Sequence, residues 1–345
     1  MKTKKFIALS MALSMFAGLT ACSSGGSSEN NENEKVYRVG IVQYVDDASL
    51  NQIEKNIEEE LKKKGEELGV TFEINYKNGQ ADGTVLQQIA SDLGEDVDIV
   101  VPIATPTAQI MQASYEDSDM PIVFAAASDP VGAGLVESMD KPGGKITGTS
   151  DALNTEAVMN LMFAQNPDIK KVGLLYSKSE NASEQPIKDA KAFLDEKGIE
   201  YVEKTGNTND EIASAADALV AEEVDAIFTP TDNTVMTAEL AIYEKFAEAK
   251  IPHYCGADSF ALNGAFVGYG VNYALLGIET ADMVVEILVD GADPATLAVR
   301  TFDNGIATIN TDVAETMGLD LDEIKAAFEP LCSEIIETKT AEEFE

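Results

Sequence analysis

Polar side chains follow the ends of six predicted strands, where they could bind a small charged molecule. The six loops contain Gln43 and Tyr44, Thr105 and Thr107, Ala127, Ser128 and Asp129, Ser177 to Ser179, Asp232 and Asn233, and Asp258. Hydroxyl groups, together with the free N–H groups at helix starts, suit a carboxylate, whereas Asp232 or Asp258 suits an ammonium group. The loops therefore predict a site for a zwitterion such as an amino acid.

Aromatic side chains lie at or beside the same loops. They are Tyr44, Tyr176, Tyr254 and Tyr269. A tyrosine ring could stack on a flat apolar group of the ligand, or it could simply pack in the core. A second alternative concerns the polar residues, because Ser, Thr and Asp near helix starts cap the backbone in any protein. Both alternatives stay open from the sequence.

Enzymatic chemistry finds little support in the motifs. The nucleophile elbow, the phosphate-binding loop and the dinucleotide-binding glycine pattern are all missing from the sequence. A histidine-based triad would have to use His253, the one histidine, and a His/Cys zinc cluster is hard to assemble from one His and three Cys. We interpret His253 as structural. The adjacent acids Asp46 and Asp47 are interpreted as solvated surface. We expect a protein that is not an enzyme and that needs no cofactor and no metal.

The elements that must position these loops form two successive α/β sets. In the first set, strands are predicted at 36–42, 70–76, 97–103 and 121–126, with helices at 49–68 and 83–93. In the second, strands at 171–176, 201–205, 224–229 and 251–255 alternate with helices near 183–197, 209–221 and 232–248. This alternation is typical of parallel sheets covered by helices on both faces. We therefore predict two similar lobes, with the chain crossing between them near 146–150 and 265–272.

The overall charge excludes several partners. The chain has 61 Asp and Glu against 24 Lys and Arg, a formal net charge of -37. Such a protein repels phosphate backbones and anionic lipid, so we expect no nucleic-acid partner. Among the three cysteines, Cys255 and Cys332 could pair in an oxidising compartment or remain free, and the spacing does not decide between these states.

The N-terminus has the pattern of an export signal. Three lysines precede an uncharged apolar run that ends in Leu-Thr-Ala-Cys at Cys22. This end resembles a bacterial lipobox, in which the signal is cut before the cysteine and the thiol is acylated. Residues 23–35 are rich in Ser, Gly, Asn and Glu, as in a flexible tether. We expect residues 1–21 to be a signal peptide, 22–35 a tether, and the mature protein to be lipid-anchored at the extracellular face of the membrane.

Four segments resemble the tryptophan/tyrosine ABC transporter substrate-binding protein family. They are 124–136 (FAAASDPVGAGLV), 141–148 (KPGGKITG), 39–44 (VGIVQY) and 268–273 (GYGVNY). The resemblance implies the periplasmic-binding-protein type I fold, an α/β architecture of two doubly wound parallel-sheet lobes joined by a three-crossover hinge. Residues 36–150 with 270–292 are expected to form lobe 1, and 151–269 with 293–338 lobe 2.

The resemblance also implies partners and residue roles. The expected protein is a monomer that carries an aromatic amino acid to an ABC permease driven by its ATPase, in a Gram-positive bacterium. Carried onto this chain, Thr105, Thr107, Ala127 and Ser128 would hold the carboxylate, Asp232, Asn233 and Asp258 the ammonium group, and Tyr44 and Tyr176 the side chain. The alternatives are a pair of ligand-sensing lobes that reports to a membrane receptor, a receptor for a solute other than an amino acid, and a surface hydrolase.

Overall fold

The computed structural model describes residues 35–94, 96–302 and 305–341. The predicted signal peptide, Cys22 and nearly all of the predicted tether lie outside these residues. Within the described part of the chain, no helix combines the length and the apolar composition that crossing a membrane requires.

Lobe 1 is built on a six-stranded parallel sheet. Its elements in chain order are β1 (Lys35–Gln43), α1 (Ala48–Leu68), β2 (Val70–Asn78), α2 (Gly83–Leu93), β3 (Ile99–Ile103), α3 (Thr105–Ser114), β4 (Ile122–Phe124), β5 (Ile146–Ser150), α9 (Tyr273–Leu288) and β11 (Arg300–Thr301). The strand order is β11-β5-β4-β3-β1-β2. Strand β3 is buried along its whole length, as expected for a central strand with helices on both faces.

Lobe 2 has a seven-stranded sheet in the order β13-β12-β10-β9-β8-β6-β7. Its elements are α4 (Thr155–Gln165), β6 (Lys171–Tyr176), α5 (Asn181–Lys197), β7 (Glu200–Thr205), α6 (Asn209–Ala221), β8 (Ala226–Thr229), α7 (Asn233–Glu248), β9 (His253–Cys255), α8 (Asp258–Leu262), β10 (Val267–Gly270), β12 (Ile306–Asn310), α10 (Thr311–Met317), α11 (Leu321–Phe328) and β13 (Glu334–Thr338). Only the β10–β12 pair is antiparallel among the described strands. The two sheets confirm the predicted fold class.

The chain passes between the lobes three times, after β5, after β10 and after β11. The third passage differs from the predicted boundary, which assigned residues from 293 onward to lobe 2. Strand β11 pairs with β5 at the edge of the lobe 1 sheet. Arg300 also binds Glu279 and Glu286 on α9, each across 2.6 Å. A two-residue strand carries too few residues to show a periodic pattern, so the sequence did not reveal this edge.

Helix α1 packs closely against α9 beside the lobe 1 sheet. Its apolar residues Ile53, Ile57 and Leu61 recur every four positions and are completely buried. The two helices approach where α9 has Gly277, since a Cβ added there would lie 2.5 Å from the carbonyl oxygen of Ile53. This close contact fixes the direction of α1, whose first turn faces lobe 2.

In the described part of the chain Cys255 and Cys332 are free thiols.

Candidate functional site

A small enclosed cavity lies between the two lobes, at the carboxyl ends of the lobe 1 strands. Three residues predicted from the sequence line it, namely Thr105 and Ser128 from lobe 1 and Asn233 from lobe 2. Asn233 begins α7, and Thr105 begins α3. We call this space the inter-lobe cavity. Its volume of about 20 Å³ is close to the roughly 10–15 Å³ that one water molecule requires, so an amino acid can enter only when the lobes separate.

Most of the cavity lining was not predicted. The remaining residues are Asp47, Ser49, Leu50, Ala104, Ala126, Asp151 and Tyr273 from lobe 1 and its crossovers, and Thr231, Met236 and Ala257 from lobe 2. Asp151 follows β5 and Tyr273 begins α9, so each of the first two crossovers contributes a polar side chain. Thr231 and Ala257 lie in strand-end loops of lobe 2, and Met236 lies in the first turn of α7. These positions are the signal that could have identified the three residues.

Asp47 is not the solvated surface acid that the sequence suggested. Its side chain is 8% exposed and lines the cavity. One oxygen, Oδ1, accepts the backbone N–H groups of Ser49 at 2.9 Å and Leu50 at 3.3 Å, which caps the start of α1. The neighbouring Asp46 is exposed, so only one member of the acidic pair turns inward.

A hydrogen-bonded chain connects three lobe 1 residues of the cavity. The hydroxyl of Ser128 donates to Oδ1 of Asp151 across 2.9 Å, and the N–H of Ser128 donates to Oγ1 of Thr105 across 3.4 Å. All three side chains are buried, and Asp151 is only 4% exposed. These hydrogen bonds hold the buried carboxylate of Asp151 in a fixed orientation at the cavity wall.

Two lining residues have strained backbone. Ala104 has φ 77° and Ala126 has φ 55°, both in the left-handed region that alanine rarely adopts. Each residue follows a central strand, β3 or β4, and turns the chain sharply there. The turns bring Thr105 and Ser128 to the cavity wall.

The cavity has acidic side chains but no basic ones. Burial raises the pKa of Asp47 to about 6; backbone N–H groups oppose this shift and the charge of Asp258 adds to it. Burial also raises the pKa of Asp151, and the hydroxyl of Ser128 opposes that shift. The pKa of the Tyr273 phenol lies well above its usual value because of burial and the nearby carboxylates. No Lys, Arg or His occurs among the described residues that line the cavity.

The lobes touch beside the cavity, through side chains of α1 and α8. Gln52 on α1 donates its Nε2 hydrogen to Oδ2 of Asp258 across 3.3 Å. Ser49 donates to Oδ1 of Asp258 and accepts the backbone N–H of Ser259 at 3.2 Å. Asp258 is therefore occupied by contacts to lobe 1 and does not line the cavity, although the sequence suggested that it would meet the ligand.

Asp232 caps a helix instead of facing the cavity. Its Oδ2 accepts from the N–H of Ser177 at 2.7 Å and the hydroxyl of Ser183 at 2.6 Å, and its Oδ1 accepts the N–H of Val235 at 3.0 Å. These partners saturate a carboxylate that is 1% exposed. Of the two roles considered for Asp232 from the sequence, its contacts in the structure fit helix capping.

The predicted tyrosines also lie away from the cavity lining. The hydroxyl of Tyr176 donates to Oε2 of Glu203 across 2.8 Å, and Tyr269 is buried in the lobe 2 core. Tyr44 is half-buried, with its pKa raised to about 12 by burial and by the charges of Glu180 and Asp232 in lobe 2. Tyr44 thus faces the opposite lobe without contributing to the cavity wall.

The other predicted residues support the surrounding loops. Gln43 donates to the carbonyl of Val45 and to Oδ1 of Asn51, each across 2.7 Å. Asp129 accepts the N–H of Gly132 at 2.8 Å, which closes a turn. Ala127 is buried beside Thr149, and Thr107 is buried with a hydroxyl that has no hydrogen-bond partner among the described residues.

A wider groove of about 370 Å³ joins the same region. It shares Asp47 and Met236 with the inter-lobe cavity and extends past Leu240, which is half exposed. In the described residues, no cluster of three or more His, Cys, Asp or Glu side chains is placed to hold a metal ion. The buried carboxylates, hydroxyls and helix starts of the inter-lobe cavity can bind an organic cation or zwitterion through hydrogen bonds and charge.

Residues 38–328 match the family model described as ABC transporter substrate binding protein. The chain is 33% identical over 337 residues to a tyrosine-binding protein of Clostridioides difficile strain R20291, across 94% of this chain and 95% of that protein. A solved structure from Streptococcus pneumoniae, an ABC domain in complex with L-Trp, superposes with a TM-score of 0.80 at 30% identity. The match covers 88% of this chain and 100% of that one.

A second solved structure superposes less well. A ligand-free, open structure of a substrate binding protein with adhesive properties from Clostridium difficile is also 30% identical and covers 88% of this chain and 100% of that one. Its TM-score is 0.67, lower than the 0.80 of the L-Trp complex. In this molecule, side chains of α1 and α8 join the two lobes. The chain belongs to the family of ABC transporter substrate-binding proteins.

Proposed function

We propose that this protein is the extracellular, lipid-anchored receptor of an ABC importer, and that it binds an aromatic amino acid such as tyrosine or tryptophan between its lobes. It then delivers the amino acid to the permease, which a separate ATPase drives. One observation carries the choice of ligand: the inter-lobe cavity contains buried carboxylates beside hydroxyls and helix starts. This combination suits an ammonium group and a carboxylate on one small molecule.

The relatives support the aromatic side chain. One is named a tyrosine-binding protein and another was solved with L-Trp. The groove beside the cavity offers apolar surface from Val45, Met236 and Leu240, against which a ring could pack once the lobes open. Substrate-binding proteins are not enzymes, and their mechanism is hinge closure over the ligand followed by release.

Calorimetry with the mature chain against each of the twenty amino acids tests the ligand. We expect one molecule bound per chain, with tyrosine or tryptophan bound most tightly. If only another amino acid binds, that amino acid is the substrate instead. If none binds, the protein is a receptor for a different solute or a sensory protein. Size-exclusion chromatography with light scattering tests the proposed monomer.

The anchor and the delivery role need separate tests. The Leu-Thr-Ala-Cys sequence supports acylation at Cys22. Cells fed a labelled fatty acid should label the wild-type protein and not a Cys22→Ser variant, which should be released into the medium. Deletion of the gene should lower uptake of the labelled amino acid, and restored uptake should require the wild-type protein at the membrane.

A further inference from the structure

We infer that Asp151 and Asp47 together bind the ammonium group of the ligand, and that this cationic group dominates recognition, so that aromatic amines without a carboxylate also occupy the inter-lobe cavity. The inference rests on the proposed function only in that the ligand enters this cavity. It assigns the ammonium group to carboxylates of lobe 1 and its first crossover. From the sequence, the strand-end loops of lobe 2 were expected to supply these carboxylates.

Asp151 is a buried carboxylate without a cationic partner. It lines the cavity at 4% exposure, and its hydrogen-bond partners are neutral: the hydroxyl of Ser128 at Oδ1, the phenol of Tyr273 and its own backbone N–H. Taking a carboxylate out of water is costly unless a positive charge or several donors replace the lost hydration. The neutral partners supply donors but no charge, and an ammonium group in the cavity would supply the positive charge.

Asp47 faces the same cavity and completes the subsite. Its Oδ1 is used in capping α1, and the nearby charge of Asp258 makes its own ionisation more costly. A cation between Asp47 and Asp151 relieves that repulsion. An ammonium group has three N–H donors, so one group can satisfy both carboxylates at once.

The acids of lobe 2 are less suited to this role. Asp232 accepts three hydrogen bonds from its own lobe, and Asp258 accepts from Ser49 and Gln52. Neither lines the cavity. Recruiting either one to the ligand would break a helix cap or the contact between the lobes.

The ligand carboxylate meets a weaker set of partners. The described cavity wall offers no basic side chain, only hydroxyls, the amide of Asn233 and the starts of α3 and α7. Two carboxylates therefore face one zwitterion, which leaves excess negative charge unless the ligand is a net cation. An amine that lacks the carboxylate brings the same ammonium group and the same aromatic ring.

Calorimetry with three matched compounds tests the inference: L-tyrosine, tyramine, and 3-(4-hydroxyphenyl)propionic acid, with the corresponding indole series beside them. We expect tyramine to bind within about tenfold of tyrosine and the acid to show no binding. Asp151→Asn keeps the acceptor for Ser128, and should lower the affinity for tyrosine and tyramine by about 30-fold or more, because it removes a buried charge partner. Asp140→Asn, an exposed lobe 1 residue that lines neither the inter-lobe cavity nor the adjoining groove, should match wild type.

The outcomes separate the two proposals. If the amino acids bind but tyramine does not, or Asp151→Asn binds as tightly as wild type, the ammonium assignment is wrong and the proposed function stands. If tyramine or tryptamine binds and neither amino acid does, the assignment stands and the amino-acid function fails. Binding of the propionic acids alone, or of no compound, overturns both. If Asp151→Asn fails to fold, the wild-type panel still decides whether the ammonium group dominates recognition, and Asp47→Asn then tests whether these carboxylates bind it, with unchanged tyramine affinity contradicting the assignment.

Discussion

Ser49 on lobe 1 and Asp258 on lobe 2 are joined by a hydrogen bond that runs from the serine hydroxyl to the aspartate carboxylate. The same Ser49 oxygen accepts the backbone N–H of Ser259 at 3.2 Å, and Gln52 donates to the second oxygen of Asp258 at 3.3 Å. The first turns of α1 and α8 thus hold each other across the space between the lobes. This contact stabilises the closed form. Of its four residues, Ser49 lines the inter-lobe cavity and the others do not.

Replacing Asp258 by Ala should weaken ligand binding by about tenfold, because two hydrogen bonds to a charged acceptor disappear from the closed form only. Calorimetry with L-tyrosine measures the affinity, and small-angle scattering with bound ligand measures closure. Asp258→Asn is the matched control, since its amide oxygen can still accept from Ser49, and it should lose less. Unchanged affinity and an unchanged radius of gyration in the Ala variant would mean that the contact does not hold the lobes together.

The affinity for tyrosine should fall in mildly acidic solution. Asp47 has its pKa raised to about 6, and Asp258, Asp151 and Tyr273 are the titratable groups around it. Ammonium binding favours the ionised carboxylate, so the ligand must displace a proton below pH 6. The affinity should decrease by up to about tenfold for each pH unit below 6 and level off above it.

Calorimetry at several pH values between about 4.5 and 8 measures this slope. Asp47→Asn cannot titrate there, so it should bind more weakly near neutral pH and show a shallower decline on acidification. Equal slopes in the two proteins would assign the pH dependence to another group.

The fold followed from the sequence more completely than the site did. Continuous apolar runs and the four-residue spacing of Ile53, Ile57 and Leu61 reflect burial directly, so they predicted strands and helices well. The polar residues at strand ends carry no such mark, because a helix cap and a ligand contact need the same side chains. Asp232 and Asn233 are adjacent in sequence, yet the first caps α7 and the second reaches the cavity.

The missed residues lie where tertiary structure decides exposure. Asp151 and Tyr273 stand on the crossovers, and they reach the cavity only because two distant segments return to the same edge of lobe 1. Asp46 and Asp47 form one acidic pair in the sequence, but the direction of α1, set by its packing on α9, turns only Asp47 inward. These placements depend on contacts between residues far apart in the chain, which local patterns do not contain.

Replacing Glu180 by Gln should stabilise the protein in alkaline solution. Glu180 is buried before α5, and burial and the charge of Asp232 raise its pKa to about 8. Tyr44 faces it from lobe 1, and Asn233 donates to it at 3.1 Å. A carboxyl group with a raised pKa favours the folded state below its unfolded pKa, and that stability is lost as the pH rises through about 8.

Thermal and urea unfolding at about pH 5 and pH 9 measure the effect. The Gln variant should resemble wild type at the lower pH and gain about 2–4 kcal/mol at the higher one. Glu184→Gln is the control, because this residue is exposed in the first turn of the same helix. A gain that is equal at both pH values would show that ionisation is not its cause.

The close approach of α1 and α9 should make Gly277 intolerant of a side chain. An alanine methyl group would lie 2.5 Å from the carbonyl oxygen of Ile53, which is backbone and cannot rotate away. Gly277→Ala should therefore cost about 1–3 kcal/mol, as overpacking does elsewhere. Gly144→Ala is the control, since no atom lies within 4 Å of its added Cβ. Equal urea midpoints for the two variants would contradict the close packing.

His253 should matter for stability and not for chemistry. Its Nε2 lies 2.8 Å from Oγ1 of Thr229 and its Nδ1 lies 3.0 Å from Oε1 of Glu239, an order of groups that also occurs in hydrolases. Here Thr229 and Glu239 are 0% exposed and His253 is 2% exposed, so a substrate has no access. His253→Ala leaves the buried carboxylate of Glu239 without its partner, and we expect a loss of about 3–5 kcal/mol.

Urea unfolding of His253→Ala and Glu239→Gln tests this role. The Gln variant keeps an oxygen that can accept from the imidazole and carries no buried charge, so it should lose less stability than the His253 variant. Tyrosine affinity should change little in either protein at temperatures where both stay folded, because neither residue lines the inter-lobe cavity. A large loss of affinity in a fully folded His253→Ala protein would instead give this buried pair a part in closure.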